Sequence, residues 1–367
     1  MKLVFTKSNL TKAVNIVMKA VPSRTTMAIL ECILIDATTN VIKFTANDME
    51  LGIETIVEGE IIEKGKVALD AKFFSEFIRK LPDNEITIET DNNFIATINC
   101  ENTKINIAGK SGDDFSYLPA IVKEKSITLS QFSLREVINQ TIFSISMLDN
   151  NKLMTGELFD VSDNSLKVIG LDGHRIAIRN VTLNGHYDKI KAIVPGKTLS
   201  EISKILSTDA ESMVNIYFTN NHILFEFDNT LVVSRLIEGD YFKIDQMLSN
   251  DYETKISINK KEFLESIDRA NLFIKEGDKK PIIISIQDGN LKVNVNSAIG
   301  KFDENVNISK DGKDIMIGFN PKFLIDALRV IDDETVDIYL VNPKSPCFIR
   351  DKDQKYIYLI LPVNFVA

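Results

Sequence analysis

The chain of 367 residues carries only three cysteines and three histidines. Cys32, Cys100 and Cys347 lie far apart, form no C-x-x-C pair and have no nearby histidine, which argues against structural zinc. Their apolar neighbours mark them as simple buried thiols. His186 and His222 fall in turn-like segments without ligand spacing. No run approaches the roughly 18 consecutive apolar residues of a membrane helix. The opening Met1-Lys2-Leu3-Val4-Phe5-Thr6 is too short and too polar for a secretory signal, so the expectation is a cytoplasmic chain. There is no phosphate-cradling glycine loop, no dinucleotide fingerprint and no G-x-S-x-G elbow, so nucleotide binding and serine-hydrolase chemistry find no support. Positive charge is also short, with 43 Lys and Arg against 52 Asp and Glu, a net charge of −9. Spread evenly, that balance would disfavour contact with phosphates.

What the sequence does contain is a repeat. A strand, a small polar or Pro/Gly break and an amphipathic helix recur six times, at intervals of roughly 60 to 65 residues. The copies open at Phe5–Leu10, Leu69–Phe74, Leu129–Leu134, Val194–Leu199, Ile258–Phe263 and Phe319–Leu324. Apolar residues then follow helical spacing, as in Leu10, Ala13, Val14 and Val17, the mark of one buried face. Asp, Ser, Asn or Pro stands near most starts, where it can cap or open a helix. Between the helices, stretches such as Ile86–Thr90, Phe94–Ile98, Leu166–Ile169, Ile216–Phe218, Ile223–Phe227 and Leu291–Val295 alternate apolar and polar residues, which predicts antiparallel strands. Asp91–Asn93, Asn220–His222 and Asp288–Asn290 punctuate them as hairpin turns. The length suits two or three domains. Paired repeats predict an α+β fold of three similar domains, 1–122, 126–250 and 253–367, each with two helices on antiparallel sheet. Charged connectors, Lys123-Glu124-Lys125 and Asn250-Asp251-Tyr252-Glu253, fit those boundaries.

The shortage of positive charge is uneven. The six helices together carry about +6, leaving about −15 on the rest of the chain. Helix bases including Lys12, Lys72, Arg79, Lys80 and Lys197 fall off the apolar stripes, so a basic helical surface can oppose acidic sheets. The plainer alternative is that Lys and Arg simply favour helices and solvent. Asp172-Gly173-His174-Arg175 reads as a tight turn between strands. An acid–base role for Asp172 and His174 is a second reading, but no nucleophile accompanies them. Asp48 and Glu50 are expected in a strand, projecting to one face, and are weak metal candidates.

Several strings, in order along the whole chain, carry a resemblance. They are Arg24 with Met27-Ala28-Ile29-Leu30, Asn47-Asp48-Met49-Glu50-Leu51, Lys72-Phe73-Phe74, Asp114-Phe115 with Leu118-Pro119, Thr155-Gly156, Asp172-Gly173-His174-Arg175 and Leu361-Pro362-Val363. Together with the sixfold repeat they resemble the β subunit of bacterial DNA polymerase III, the β sliding clamps. The resemblance implies three similar domains and a ring-shaped head-to-tail homodimer around duplex DNA. It also implies a non-catalytic processivity factor that tethers the replicative polymerase and needs no cofactor. DNA would meet Arg24, Lys72 and the helix bases Lys12, Arg79, Lys80 and Lys197. The dimer interface would join Ile105 and Ile107 to Leu272 and Phe273 of the partner subunit. A pocket for short hydrophobic peptide motifs would use Met154, Leu171, Gly173, His174, Arg175, Ile176, Met247, Pro346, Ile360, Leu361, Pro362 and Val363. Its implied users are the polymerase III catalytic subunit, the clamp loader, other polymerases and repair proteins. Tyr241-Phe242 stands where the family often has an aromatic-proline pair, and the tail Asn364-Phe365-Val366-Ala367 lacks the arginine many relatives place after Pro-Val. Two other classes remain on the page. A metabolic enzyme using Asp172, His174 and Arg175 would lose hydrolytic activity in His174→Ala. A repeat scaffold that binds proteins alone would not distinguish circular from linear DNA.

Overall fold

The computed structural model describes residues 1–148, 150–275 and 280–365, so the last two residues of the tail, Val366 and Ala367, lie outside the described residues. Among the described residues six α-helices are seen: α1 Lys7–Val17, α2 Ala71–Lys80, α3 Gln131–Asn139, α4 Gly196–Ile202, α5 Lys260–Asn271 and α6 Pro321–Arg329. Their starts are 60 to 65 residues apart, as the repeat predicts. Each of four starts is fixed by a side chain that accepts from an otherwise unpaired backbone N–H. Thr6 accepts from Asn9, Asp70 from Phe73, Asn259 from Glu262 and Asn320 from Lys322. At α6, Pro321 adds a preset φ in the first turn.

The buried faces keep helical spacing. They comprise Leu10, Ala13, Val14 and Val17 on α1, Ala71, Phe74, Ser75 and Ile78 on α2, and Phe263, Ser266, Ile267 and Ala270 on α5. Removing each large aliphatic or aromatic side chain from water contributes about 1.5–3 kcal/mol, so the stripe rather than helix propensity holds these short helices in place. One stripe has limited width. Phe73 and Phe77, next to the buried Phe74 and Ile78, fall outside it. Phe73 is 53% exposed and stacks on Phe77 at 6.2 Å.

Two compact units emerge. The first holds Met1–Arg135 and Lys197–Leu236. It contains a five-stranded antiparallel sheet in the order 60–63, 2–6, 85–90, 95–100, 103–108. Its second sheet has nine strands, ordered 110–111, 66–70, 32–36, 42–47, 51–57, 230–235, 222–227, 213–218 and 125–130. Helices α1 and α2 pack together, with α1 against strand 51–57. The second unit holds Glu136–Gly196 and the chain from Ile237 onward. Its ten strands run 156–171, 175–195, 356–360, 347–350, 335–340, 254–259, 301–312, 290–296, 282–287 and 315–319. Helices α5 and α6 pack on it around Phe263, Ile267, Leu324 and Leu328.

The sheets run across the repeats. Leu51 to Thr55 pair with Ser234 to Thr230, and Arg175 to Arg179 pair with Ile360 to Tyr356. Strand edges that would otherwise lie open are joined by a strand three repeats further along the chain, which satisfies their backbone groups. Asp48 and Glu50 do not lie in a strand as expected. They occupy the turn between strands 42–47 and 51–57, where Met49 takes a φ of 76° and Asp48 accepts from the N–H of Glu50 and Leu51. A turn needs such local acceptors, and that is how the carboxylate is used.

Candidate functional site

The Asp172–Arg175 string is a turn between strands 156–171 and 175–195. Asp172 Oδ1 accepts from the N–H of His174 at 2.9 Å and of Arg175 at 3.1 Å. Gly173 supplies the left-handed step, with φ at 87°. Arg175 is 8% exposed. Its guanidinium donates to Asp172 at 2.9 Å, to Asp326 at 2.7 Å and to the carbonyl of Phe143. It also lies 4.6 Å from the ring centre of Phe323 and 5.3 Å from that of Phe143. Arg175 therefore joins the turn to α6 and holds it, with its charge compensated by two carboxylates. His174 is left exposed on the turn and stacks on Phe323 at 5.9 Å.

This turn stands beside the chain's C-terminal segment. Leu361 N–H donates to the carbonyl of His174, continuing the pairing of Arg175 with Ile360. Val363 N–H donates to the carbonyl of Gly318 at 2.8 Å. A Cβ on Gly318 would meet the Val363 carbonyl and the Phe365 ring at 2.7 Å each, so a glycine is required for that approach. A cleft of about 900 Å³ runs from His174 and Val363 along Asn320–Phe323 to the facing side of α5 at Asp268 and Asn271. Asn320 Oδ1 is engaged in capping α6, leaving its amide N–H₂ without a partner among the described residues.

An apolar cluster lies behind the turn. Leu171 and Ile176 are buried in it with Ile244, Tyr339, Phe348 and Leu359, and Met154, Tyr241, Phe242 and Leu248 pack on its rim. Tyr241 and Phe242 meet edge to face at 5.6 Å. Met247 is 55% exposed on the short turn after Ile244, and Pro346 is half-buried just before strand 347–350. Ile360 is placed differently from the expected pocket wall. Successive strand residues face opposite sides, so Ile360 is buried in the α5–α6 core while Leu359 faces this cluster. The structure thus brings Met154, Leu171 and Ile176 together in one group, and His174, Leu361 and Val363 in another around the same turn. Phe323 and Asn320, absent from the sequence-based set, belong with the second. Beside Leu158 of the apolar cluster, Glu157 is fully buried, with neither carboxylate oxygen hydrogen-bonded among the described residues. Loss of hydration pushes its carboxyl up to about 8.

The basic residues divide. Lys12, Lys72 and Lys80 on α1 and α2 are exposed and have no acidic partner among the described residues, and Arg24 is exposed in the loop after α1. A groove of about 840 Å³ in the first unit is lined by Lys7, Lys12, Lys19 and Lys204, with Asp83 the acidic residue among its lining. Arg79 donates to Asn15 at 2.9 Å, tying α2 to α1 without cancelling its charge. Lys197 instead pairs with Asp48. On α5 and α6 the arginines are compensated, Arg269 by Glu304 and Arg329 by Asp268.

Ile105 and Ile107 lie on strand 103–108, the outer strand of its sheet; Ile105 is half-buried and Ile107 is 8% exposed. Leu272 is 76% exposed at the end of α5, and Phe273 packs against Phe302 at 5.5 Å.

Comparison with known proteins places this geometry. Family models of the DNA polymerase III beta subunit match in three pieces: the N-terminal domain at residues 1–119, the central domain at 128–243 and the C-terminal domain at 245–364. The beta sliding clamp of Bacillus subtilis is 34% identical over 377 aligned residues, covering 99% of this chain and 100% of the relative. That of Staphylococcus epidermidis is 35% identical, covering 95% and 96%. Among solved structures, the DNA polymerase sliding clamp of Bacillus subtilis superposes with a TM-score of 0.95 at 32% identity, over 100% of both chains. A chain from Eubacterium rectale superposes with a TM-score of 0.96 at 67% identity, over 100% of this chain and 99% of that one. With three family domains matched in order and full-length relatives above 30% identity, the chain belongs to the beta subunit family of bacterial DNA polymerase III, the beta sliding clamps.

Proposed function

We propose that two copies of this chain close head to tail into a ring around duplex DNA in the bacterial cytoplasm, with three domains from each copy at about 1–122, 126–250 and 253–367. The outer strand 103–108, with Ile105 and Ile107, meets Leu272 and Phe273 of the partner subunit. An open strand edge and a 76% exposed leucine both gain from being covered. A head-to-tail contact whose rotation closes gives a ring rather than a filament. Lys12, Lys72, Lys80, Arg79 and Arg24 face the DNA, with Lys197 a weaker contributor because Asp48 already neutralises it. Contacts of this kind read phosphates and not bases, so the ring slides.

The groups around the Asp172–Arg175 turn bind short peptide motifs of the polymerase catalytic subunit, the clamp loader, other polymerases and repair proteins. Leu171, Ile176, Met154, Met247 and Pro346 offer an apolar surface for leucine or phenylalanine side chains, and His174 and Val363 line the cleft beside Phe323, with Leu361 and Pro362 just before Val363 in the chain. Tethering raises the polymerase's effective concentration at the primer end.

The observation that carries the DNA reading is the set of exposed, acid-free lysines on α1 and α2 in a chain of net charge −9. The test is retention. Protein loaded on a nicked circular plasmid should stay bound through gel filtration and leave when the plasmid is linearised. Equal retention on both forms would refute the ring.

A further inference from the structure

We propose that Arg350 is a positioning residue for the peptide-binding surface, an inference that rests on the pocket reading above. Arg350 ends strand 347–350 and is 8% exposed. Its guanidinium is directed at the connector that follows Met247. Nη1 donates to the Ser249 carbonyl at 3.2 Å and to Asn250 Oδ1 at 2.6 Å, and Nη2 donates to the Asn250 carbonyl at 3.3 Å. The same guanidinium lies 4.5 Å from the ring centre of Tyr339 and 5.7 Å from that of Phe348. Both rings belong to the apolar cluster that buries Leu171 and Ile176.

The connector is held at each end by other means. Ile244 and Leu248 insert into the cluster, and Glu253 N–H donates to the Leu340 carbonyl at 2.9 Å. Between them, backbone carbonyls have no sheet or helix to join, and Arg350 supplies their donors. A planar fork suits this task because it can reach two residues at once while stacking on an aromatic face. Met247, 55% exposed, stands immediately before this anchored stretch. Without Arg350 the 245–252 segment gains conformational freedom, and a peptide must then order it on binding, which weakens affinity.

The test uses the full chain and a short fluorescein-labelled peptide with adjacent leucine and phenylalanine, read by anisotropy. Arg350→Gln should weaken binding on the order of tenfold, mainly through faster dissociation. Arg350→Lys, with a single donor centre, should recover part of the loss. Met247→Ala should cost less in the Arg350→Gln background than in the wild type, because the two act through one segment. Hydrogen–deuterium exchange should rise across 245–252 and stay unchanged in α5 and α6. Wild-type affinity in Arg350→Gln, or equal Met247→Ala penalties in both backgrounds, would overturn this role while leaving the pocket intact. A wild-type chain that fails to bind the peptide would overturn the pocket itself, and this role with it.

Discussion

Arg175 and Glu157 set two opposite electrostatic problems within a few strands of each other. Arg175 is buried but surrounded by acceptors, with Asp172 and Asp326 both within 2.9 Å. Removing it strands two partly buried carboxylates, so Arg175→Ala should lower stability by about 3 kcal/mol, seen as a reduced urea midpoint with an unchanged slope. Glu157 is buried without a donor. The Thr141 hydroxyl, its polar neighbour, donates to the Val137 carbonyl at 2.7 Å and offsets the loss of hydration only in part. The folded protein therefore holds Glu157 protonated to about pH 8, against 4.5 for an ordinary glutamate. A folded pKa above the unfolded one means the native state binds the extra proton, so stability is fullest below the ordinary value and declines as pH rises towards 8. The decline amounts to about 4 kcal/mol by pH 7.5. Glu157→Gln should flatten the dependence of the melting temperature on pH between 5 and 8, on the order of several degrees; an unchanged profile would refute the assignment. No residue pattern hints at this group, because a glutamate within an apolar strand reads as its solvent face. Phe323 was hidden for a related reason. It directly precedes Leu324 on α6, and only the fold reveals that it packs partly on the core and also meets His174.

Among the elements, the helices were the most legible. Their period, their caps and their even spacing are local properties, and Leu10–Val17, Phe74–Ile78 and Phe263–Ala270 carry the expected buried faces. Asp70→Ala should cost about 1 kcal/mol by losing the acceptor for Phe73 N–H, measured by thermal melting. The sheets were legible strand by strand but not as sheets. That strand 51–57 pairs with 230–235, and 175–179 with 356–360, depends on meetings between residues more than 170 positions apart, which no periodicity reports. The edge strand 103–108 remains open within its sheet. If it and the end of α5 meet a partner, Leu272→Ala with Phe273→Ala should give monomers by light scattering, with the helical circular dichroism retained. An unchanged dimer mass would remove that interface.

For the whole molecule, membership of the beta sliding clamps makes this a non-catalytic processivity factor of DNA polymerase III. A clamp needs no tight grip on what it encloses, and the weak, uncompensated lysines of α1 and α2 agree with that economy. Binding to open linear DNA should therefore be feeble and should fall steeply between 50 and 200 mM salt, whereas loaded circles should resist the same change. A filter-binding titration at both salts checks this.

Each of the three guanidinium nitrogens of Arg175 donates into the protein, to Asp172, Asp326 and the Phe143 carbonyl. With those donors turned inward, a peptide bound as proposed would meet little of that charge and would be sorted mainly by bulk and contour. Such a surface would tolerate many callers and hold none for long, so occupancy would follow whichever partner is locally abundant, and the handover from one enzyme to the next would need no dedicated release signal.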